Sequence, residues 1–162
     1  MTEAGAHAWI AEAHEAETVA RLLIAFRDHY GRDWPSDDAF RAGVERLMGD
    51  PDTEFVLGAT GPGAPAGGVV QLRFRFGLWR DGGDCLVEDV FVAEEARGGG
   101  VGRAMLEHAT TRALERGCRR MELDTSEDNA PAIALYESLG FFNRAAAGQP
   151  RDLYFRRHLP HE

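Results

Sequence analysis

Two adjacent carboxylates, Glu88 and Asp89, stand in the middle of an otherwise apolar run, Cys85-Leu86-Val87-Glu88-Asp89-Val90-Phe91-Val92. A glycine-rich stretch, Arg97-Gly98-Gly99-Gly100-Val101-Gly102-Arg103, follows a few residues later. The apolar run has the β-branched and aromatic content of a strand. Carboxylates inside it are costly to bury unless they are hydrogen-bonded or have a chemical task such as accepting a proton. Strand alternation predicts Leu86, Glu88, Val90 and Val92 on one face and Val87, Asp89 and Phe91 on the other, so that the two carboxylates serve different faces. The competing reading is an ion pair with Arg73 or Arg75.

The glycines sit where this strand passes into a helix. Val101, Met105, Leu106, Ala109 and Ala113 share a face at about 100° per residue, which predicts an amphipathic helix starting within or just after them. A helix start presents unpaired N–H groups and about half a positive charge, and glycine lets an anion approach that backbone closely. Phosphate or pyrophosphate fits such a place, and Arg97 and Arg103 flank it with guanidinium groups suited to the same anion. A nucleoside-triphosphate loop is disfavoured, because Gly102 is followed by Arg103-Ala104 rather than by Lys and Ser or Thr. The dinucleotide pattern G-x-G-x-x-G fails whether counted from Gly98 or from Gly100. A flexible loop with a tight helix cap is the alternative.

Farther along, Asp128-Asn129-Ala130-Pro131 reads as a helix start, with Asp128 or Asn129 as the cap and Pro131 in the first turn. Ala132, Ile133, Leu135, Tyr136 and Leu139 fall on one side of that helix, and Gly140 is placed to end it. By residue type alone, Tyr136 is a core aromatic whose hydroxyl finds a partner.

These strings carry a resemblance. Arg97, Gly100 and Gly102 match the Q/R-x-x-G-x-G/A acyl-CoA signature, and the chain resembles the GNAT superfamily of N-acyltransferases. Asn129, Ala132, Leu135, Tyr136, Gly140 and Phe141 are similar to that family's N-x-x-A-x-x-L-Y-x-x-x-G-F hallmark. The resemblance implies acetyl-CoA as co-substrate, its pyrophosphate held by residues 97–103 and its pantetheine arm paired with the backbone of Val90, Phe91 and Val92. It implies Asn129 near the pantetheine and Tyr136 near the CoA sulfur as general acid. Glu88-Asp89-Val90-Phe91-Val92 also looks like the E-D-x-F-V of polyamine and related small-amine acetyltransferases, which implies Glu88 as the base, acting through a water. The implied fold is α/β, mixed with α+β character: a mixed, mostly antiparallel sheet of six or seven strands flanked by about four helices. Many relatives are dimers through their late strands, so a homodimer is expected.

An alkylamine has a pKa of about 10 and arrives protonated at neutral pH, so it cannot attack a thioester until a base removes a proton. Positioning and one backbone N–H, of Val90 or Phe91, supply the rest of the acceleration. Cys85 and Cys118 have no histidine nearby in sequence, which favours direct transfer over a covalent enzyme intermediate. The expected acceptor is a primary amine on a small molecule, such as a polyamine, an amino acid derivative or an aminoglycoside-like compound. Besides Glu88 and Asp89, the loop-proximal Tyr30, Asp33, Trp34 and Trp79 are candidates to hold that cation. The other readings are a non-catalytic CoA-binding sensor and an enzyme acting on a protein N-terminus or lysine.

The chemistry needs a scaffold. The chain has 162 residues, 44% of them hydrophobic and 28% charged, which is the composition of one soluble domain spanning residues 1–162. A formal net charge of −9 argues against nucleic acid as a partner. No apolar run is long enough to cross a membrane, no signal segment is legible, and no Cys/His spacing calls for a metal, so a cytoplasmic protein without a metal is expected. The predicted order is a short strand at 8–12, helices from Glu15 to His29 and from Ser36 to Gly49, and strands at Thr53–Thr60, Val69–Trp79 and Cys85–Val92. The loop and a helix to Gly117 follow, then a strand from Arg119 to Thr125, a helix from Asn129 to Leu139, and short strands near 141–145 and 151–158.

Overall fold

The computed structural model describes residues 5–160. Two compact units divide the chain at Leu123/Asp124. The first carries a five-stranded sheet in the order β1-β2-β3-β4-β5: His7–Ile10, Thr53–Ala59, Gly68–Gly77, Gly82–Val92 and Cys118–Glu122. The first four strands are antiparallel neighbours, and β5 joins β4 in parallel. A parallel neighbour requires a crossover, and helix α3, Val101–Glu115, supplies it.

Helices α1, Ala16–His29, and α2, Asp37–Met48, cover one face of the sheet. The Ser36 hydroxyl caps α2 by accepting from the N–H of Ala39 at 3.1 Å, as its position before the helical run predicts. Val19, Leu22 and Leu23 of α1 and Val44 of α2 form a core with Phe55, Leu57, Val69 and Phe91 of the sheet.

Helix α3 packs across the opposite face. Its buried residues are Val101, Met105, Leu106, Ala109 and Ala113, the face that periodicity predicts. Gly58 and Gly68 form a notch for its first turns: a Cβ on Gly68 would come 2.6 Å from Met105 Cε and 2.9 Å from Val101 Cγ1. The missing side chains thereby set how closely the N-terminal end of α3 approaches the sheet. Gly68→Val is expected to destabilise the protein by roughly 1–3 kcal/mol, as overpacking does, and also to weaken CoA binding. Denaturant unfolding and calorimetric titration of the variant check both effects.

The second unit contains α4, Ala130–Ser138. Asn129 is its N-cap, accepting from the Ala132 N–H at 3.4 Å. The strands expected near 141–145 and 151–158 are not formed among the described residues, so the sheet has five strands rather than six or seven. The reason is local. A turn closes with Gln149 N–H donating to the Ala146 carbonyl, and beyond it the two segments share one backbone bond, from Asp152 to Asn143 at 2.6 Å, instead of a ladder. The intervening Ala145-Ala146-Ala147-Gly148 and Pro150 are poor strand formers.

Candidate functional site

The register of β4 alters the reading of the two carboxylates. Along β3, Val69, Gln71 and Arg73 pair with Phe91, Asp89 and Leu86, while Val70 and Leu72 pair with Val90 and Val87. Glu88 is skipped: it is the extra residue of a β-bulge opposite Gln71/Leu72. Leu86 therefore shares a face with Asp89 and Phe91, and Val87 shares the other with Val90 and Val92. The alternation predicted for residues 86–92 fails at Glu88 because strict period two holds only where no residue is inserted. Glu88 ends exposed at the kink, its carboxylate 3.6 Å from the Arg73 guanidinium.

The same strand has a second irregularity. Pairing with β5 ends at Leu86/Glu122, whereas β4 runs on to Val92. Among the described residues no strand pairs with the outer edge of residues 87–92, the edge along which an extended ligand adds as a strand would. At the base of this fork, buried Asp84 pairs with Arg120 at 2.9 Å and with Arg75 at 3.8 Å, and Arg75 reaches Glu122. The quartet ties β3, β4 and β5 together where β4 and β5 part.

Past Val92 the chain makes one short helical turn, Glu94–Ala96, and enters the glycines. Arg97 Nε donates to the Val92 carbonyl at 3.0 Å, clamping the loop against the strand end. Gly98 and Gly100 take φ of +80° and +84°, a region that side chains with a Cβ rarely adopt. Gly100 is the N-cap of α3 and offers no side-chain cap. The first helical bond runs from Ala104 N–H to the Gly100 carbonyl, at 3.0 Å, so the N–H groups of Val101 and Gly102 have no intrahelical acceptor. Open donors, the positive end of a 15-residue helix and a strand edge that no described strand covers leading up to them fit a phosphate-bearing ligand with an extended arm. Arg103 is exposed on the same first turn.

The candidate acceptor residues separate into two places. Tyr30 follows α1, its ring 5.1 Å from that of Phe26, which stacks on Phe91 at 5.0 Å. Asp33 and Trp34 lie in the same α1–α2 loop, which Arg27 fastens by donating to the Pro35 carbonyl at 2.7 Å and pairing with Asp28 and Asp37. Trp79, 97% exposed, sits at the β3–β4 tip. Gly82 and Phe91 are nine positions apart along β4, and at about 3.3 Å per residue the tip is roughly 30 Å from Tyr30's end of the sheet. The structure thus keeps Trp79 apart from Tyr30, Asp33 and Trp34, because the strands it joins are long. His29, whose ring lies 6.2 Å from Phe91 and 5.8 Å from Tyr30, was not singled out by sequence; its only signal is its place in the last turn of α1.

Burial pushes the Cys85 thiol up to about 12 and raises that of Cys118 as well. Neither has an appreciable thiolate at neutral pH, as a covalent nucleophile would need. In the second unit, Tyr136 is half-buried, its ring edge-on to Phe141 at 6.2 Å, and Asn129 donates to Thr125 Oγ1 at 3.4 Å besides capping α4.

The model of the acetyltransferase (GNAT) family matches residues 16–141, and the chain belongs to that family. It is 34% identical over 120 residues to the streptothricin acetyltransferase of Streptomyces lavendulae, covering 74% of this chain and 57% of that protein. It is 27% identical over 147 residues to the IAA acetyltransferase of Azospirillum brasilense, covering 88% of this chain and 92% of that protein. A solved structure from Arthrobacter sp. FB24, assigned as an acetyltransferase, superposes with a TM-score of 0.83 at 27% identity, covering 94% of this chain and 95% of that one. The chain spans roughly half the length of several curated relatives it matches. The fold is that of the family, and no described helix is long and apolar enough to cross a membrane.

Proposed function

We propose that this protein is an N-acetyltransferase that moves an acetyl group from acetyl-CoA directly to a primary amine of a small molecule. The observation that carries the reading is the continuity, within one unit, of the bulge at Glu88, the stretch of β4 that runs on to Val92 beyond its pairing with β5, and the uncapped N-terminus of α3. The pantetheine arm extends along the backbone of Val90, Phe91 and Val92, and the pyrophosphate is held by Gly98, Gly99, Gly100, Val101 and Gly102, with Arg97 and Arg103 beside it. Glu88 takes the ammonium proton through a water. The amine nitrogen attacks the thioester carbonyl, the oxyanion is held by a strand N–H of Val90 or Phe91, and the C–S bond breaks. Tyr136 gives its proton to the departing thiolate and regains one from the attacking nitrogen, which sheds its second proton as the amide forms, and Asn129 orients the pantetheine. Relatives named for streptothricin and IAA support a small-molecule acceptor. The family match across residues 16–141 supports reading the whole chain as one catalytic domain. A homodimer and a cytoplasmic location belong to the same reading.

The test is CoA release with a thiol reagent, using acetyl-CoA against polyamines, amino acids, aminoglycosides and short peptides, beside calorimetric titration of CoA. Release with one amine class supports the reading and names the acceptor; CoA binding without release from any acceptor favours a sensor, and no CoA binding overturns the reading. Tyr136→Phe is expected to lower turnover about tenfold or more with CoA affinity retained, within the range of general acid catalysis. An unchanged rate removes its role as acid.

A further inference from the structure

We propose that Arg73 is a positioning residue for Glu88. The inference rests on the assignment of Glu88 as base. Arg73 lies on β3 opposite Leu86, and its guanidinium bridges two carboxylates, Glu88 at 3.6 Å and Asp50 at 3.8 Å. A bulged residue has no cross-strand partner to fix it, and Glu88 is exposed, so its carboxylate needs another restraint. Asp50 is a firm anchor for that restraint. Its carboxylate accepts from the Asp52 N–H at 2.9 Å and from the Thr53 hydroxyl at 3.0 Å. Those bonds, helped by Arg73, hold the Asp50 carboxyl below its ordinary range. The chain of contacts runs from the rigid start of β2, through Asp50 and Arg73, to the kink in β4.

Surface ion pairs of this length contribute little to stability, about 0–1 kcal/mol. Both side chains are about two-fifths exposed, at 40% and 44%, so Arg73 is poorly placed as a structural staple. It is well placed as an orienter, because catalysis depends on where a carboxylate sits far more steeply than stability does. The charged groups in contact with Glu88 or next to it in the chain are Arg73 and Asp89, and Arg73 carries the link on to Asp50. Glu45 and Arg46 at the end of α2 line a surface pocket of about 650 Å³ with Leu47, Gly49, Asp50 and Arg73. Arg73 touches both Asp50 and Glu88.

The experiment is a double-mutant cycle on Arg73→Gln, Arg73→Lys, Glu88→Gln and the Arg73→Gln/Glu88→Gln pair, read as CoA release from acetyl-CoA with spermidine, lysine and water as acceptors. Crystal structures of the Arg73 variants accompany it. Arg73→Gln is expected to lower kcat roughly tenfold, with the KM for acetyl-CoA unchanged, since misplacing a catalytic group acts on turnover. In the Glu88→Gln background the loss disappears, and Arg73→Lys restores most of the rate. The crystal structure of Arg73→Gln shows the Glu88 carboxylate displaced. Additive losses, or an unmoved Glu88 carboxylate, overturn the positioning role. An impaired Glu88→Gln beside an unimpaired Arg73→Gln overturns it while leaving the base in place. A Glu88→Gln enzyme at the wild-type rate overturns the base assignment and the positioning role together.

Discussion

Gly102→Trp is expected to weaken the binding of acetyl-CoA by on the order of a hundredfold or more while leaving the protein folded. Gly102 is the second residue of α3, half-exposed, and its N–H and that of Val101 are the donors the helix leaves open. An indole at this position covers both. Hydrogen bonds to a charged acceptor contribute about 1.5–3 kcal/mol each, so losing two at the lower figure removes about 3 kcal/mol, on the order of a hundredfold in Kd. Stability moves little, because replacing glycine in a helix relieves an entropic cost of up to about 1 kcal/mol. Calorimetric titration with CoA, beside a thermal melt, separates the two. Full CoA affinity in the folded variant would sink the assignment of this loop to phosphate.

The parts of this site that could be read in the sequence are those fixed by local backbone physics. Glycines at the junction of an apolar strand and an amphipathic helix yield positive φ at Gly98 and Gly100 and an uncapped helix start, each within a few residues of its cause. The same holds for Ser36 and Asn129, whose side chains cap helices at the positions their types suggest. The buried face of α3 follows from spacing alone.

What escaped the sequence depends on register and on distance in space. No residue type marks Glu88 as the insertion in β4; the bulge shows only once β3 lies beside it and Gln71 and Leu72 face Asp89 and Val87. The ion pair of Glu88 with Arg73 was among the readings the sequence offered and is present, but its tie to Asp50, well before both in the chain, comes only through the turn into β2. Trp79 was grouped with Tyr30 and Trp34 because aromatic residues near loops look alike in sequence, and the length of β3 and β4 separates them. The segments expected as late strands contain Phe141, Phe142, Tyr154 and Phe155, yet strand propensity is realised only against a partner. Phe142 and Phe155 are left 78% and 84% exposed, with one backbone bond where a ladder was expected.

Glu88→Gln is expected to lower turnover on the acceptor by roughly 10²-fold or more, the scale of general base catalysis, and by more as the pH falls. The sign follows from the acceptor. Its ammonium has a pKa of about 10, so at pH 6.5 the free amine is scarcer than at pH 9.5 by about three orders of magnitude, and the reaction depends correspondingly more on a group that takes the proton. Near pH 9.5 much of the amine arrives ready to attack, and the variant should approach the wild type. Glutamine keeps the size and hydrogen-bonding reach of the side chain but accepts no proton, and at the exposed bulge it costs the fold little. Full pH profiles of kcat/KM for both proteins, with CoA affinity measured in parallel, carry the test. A rate ratio that is constant from pH 6.5 to 9.5 would show that Glu88 shapes the site without taking the proton, and would move the base to Asp89 or to water along the open edge of β4.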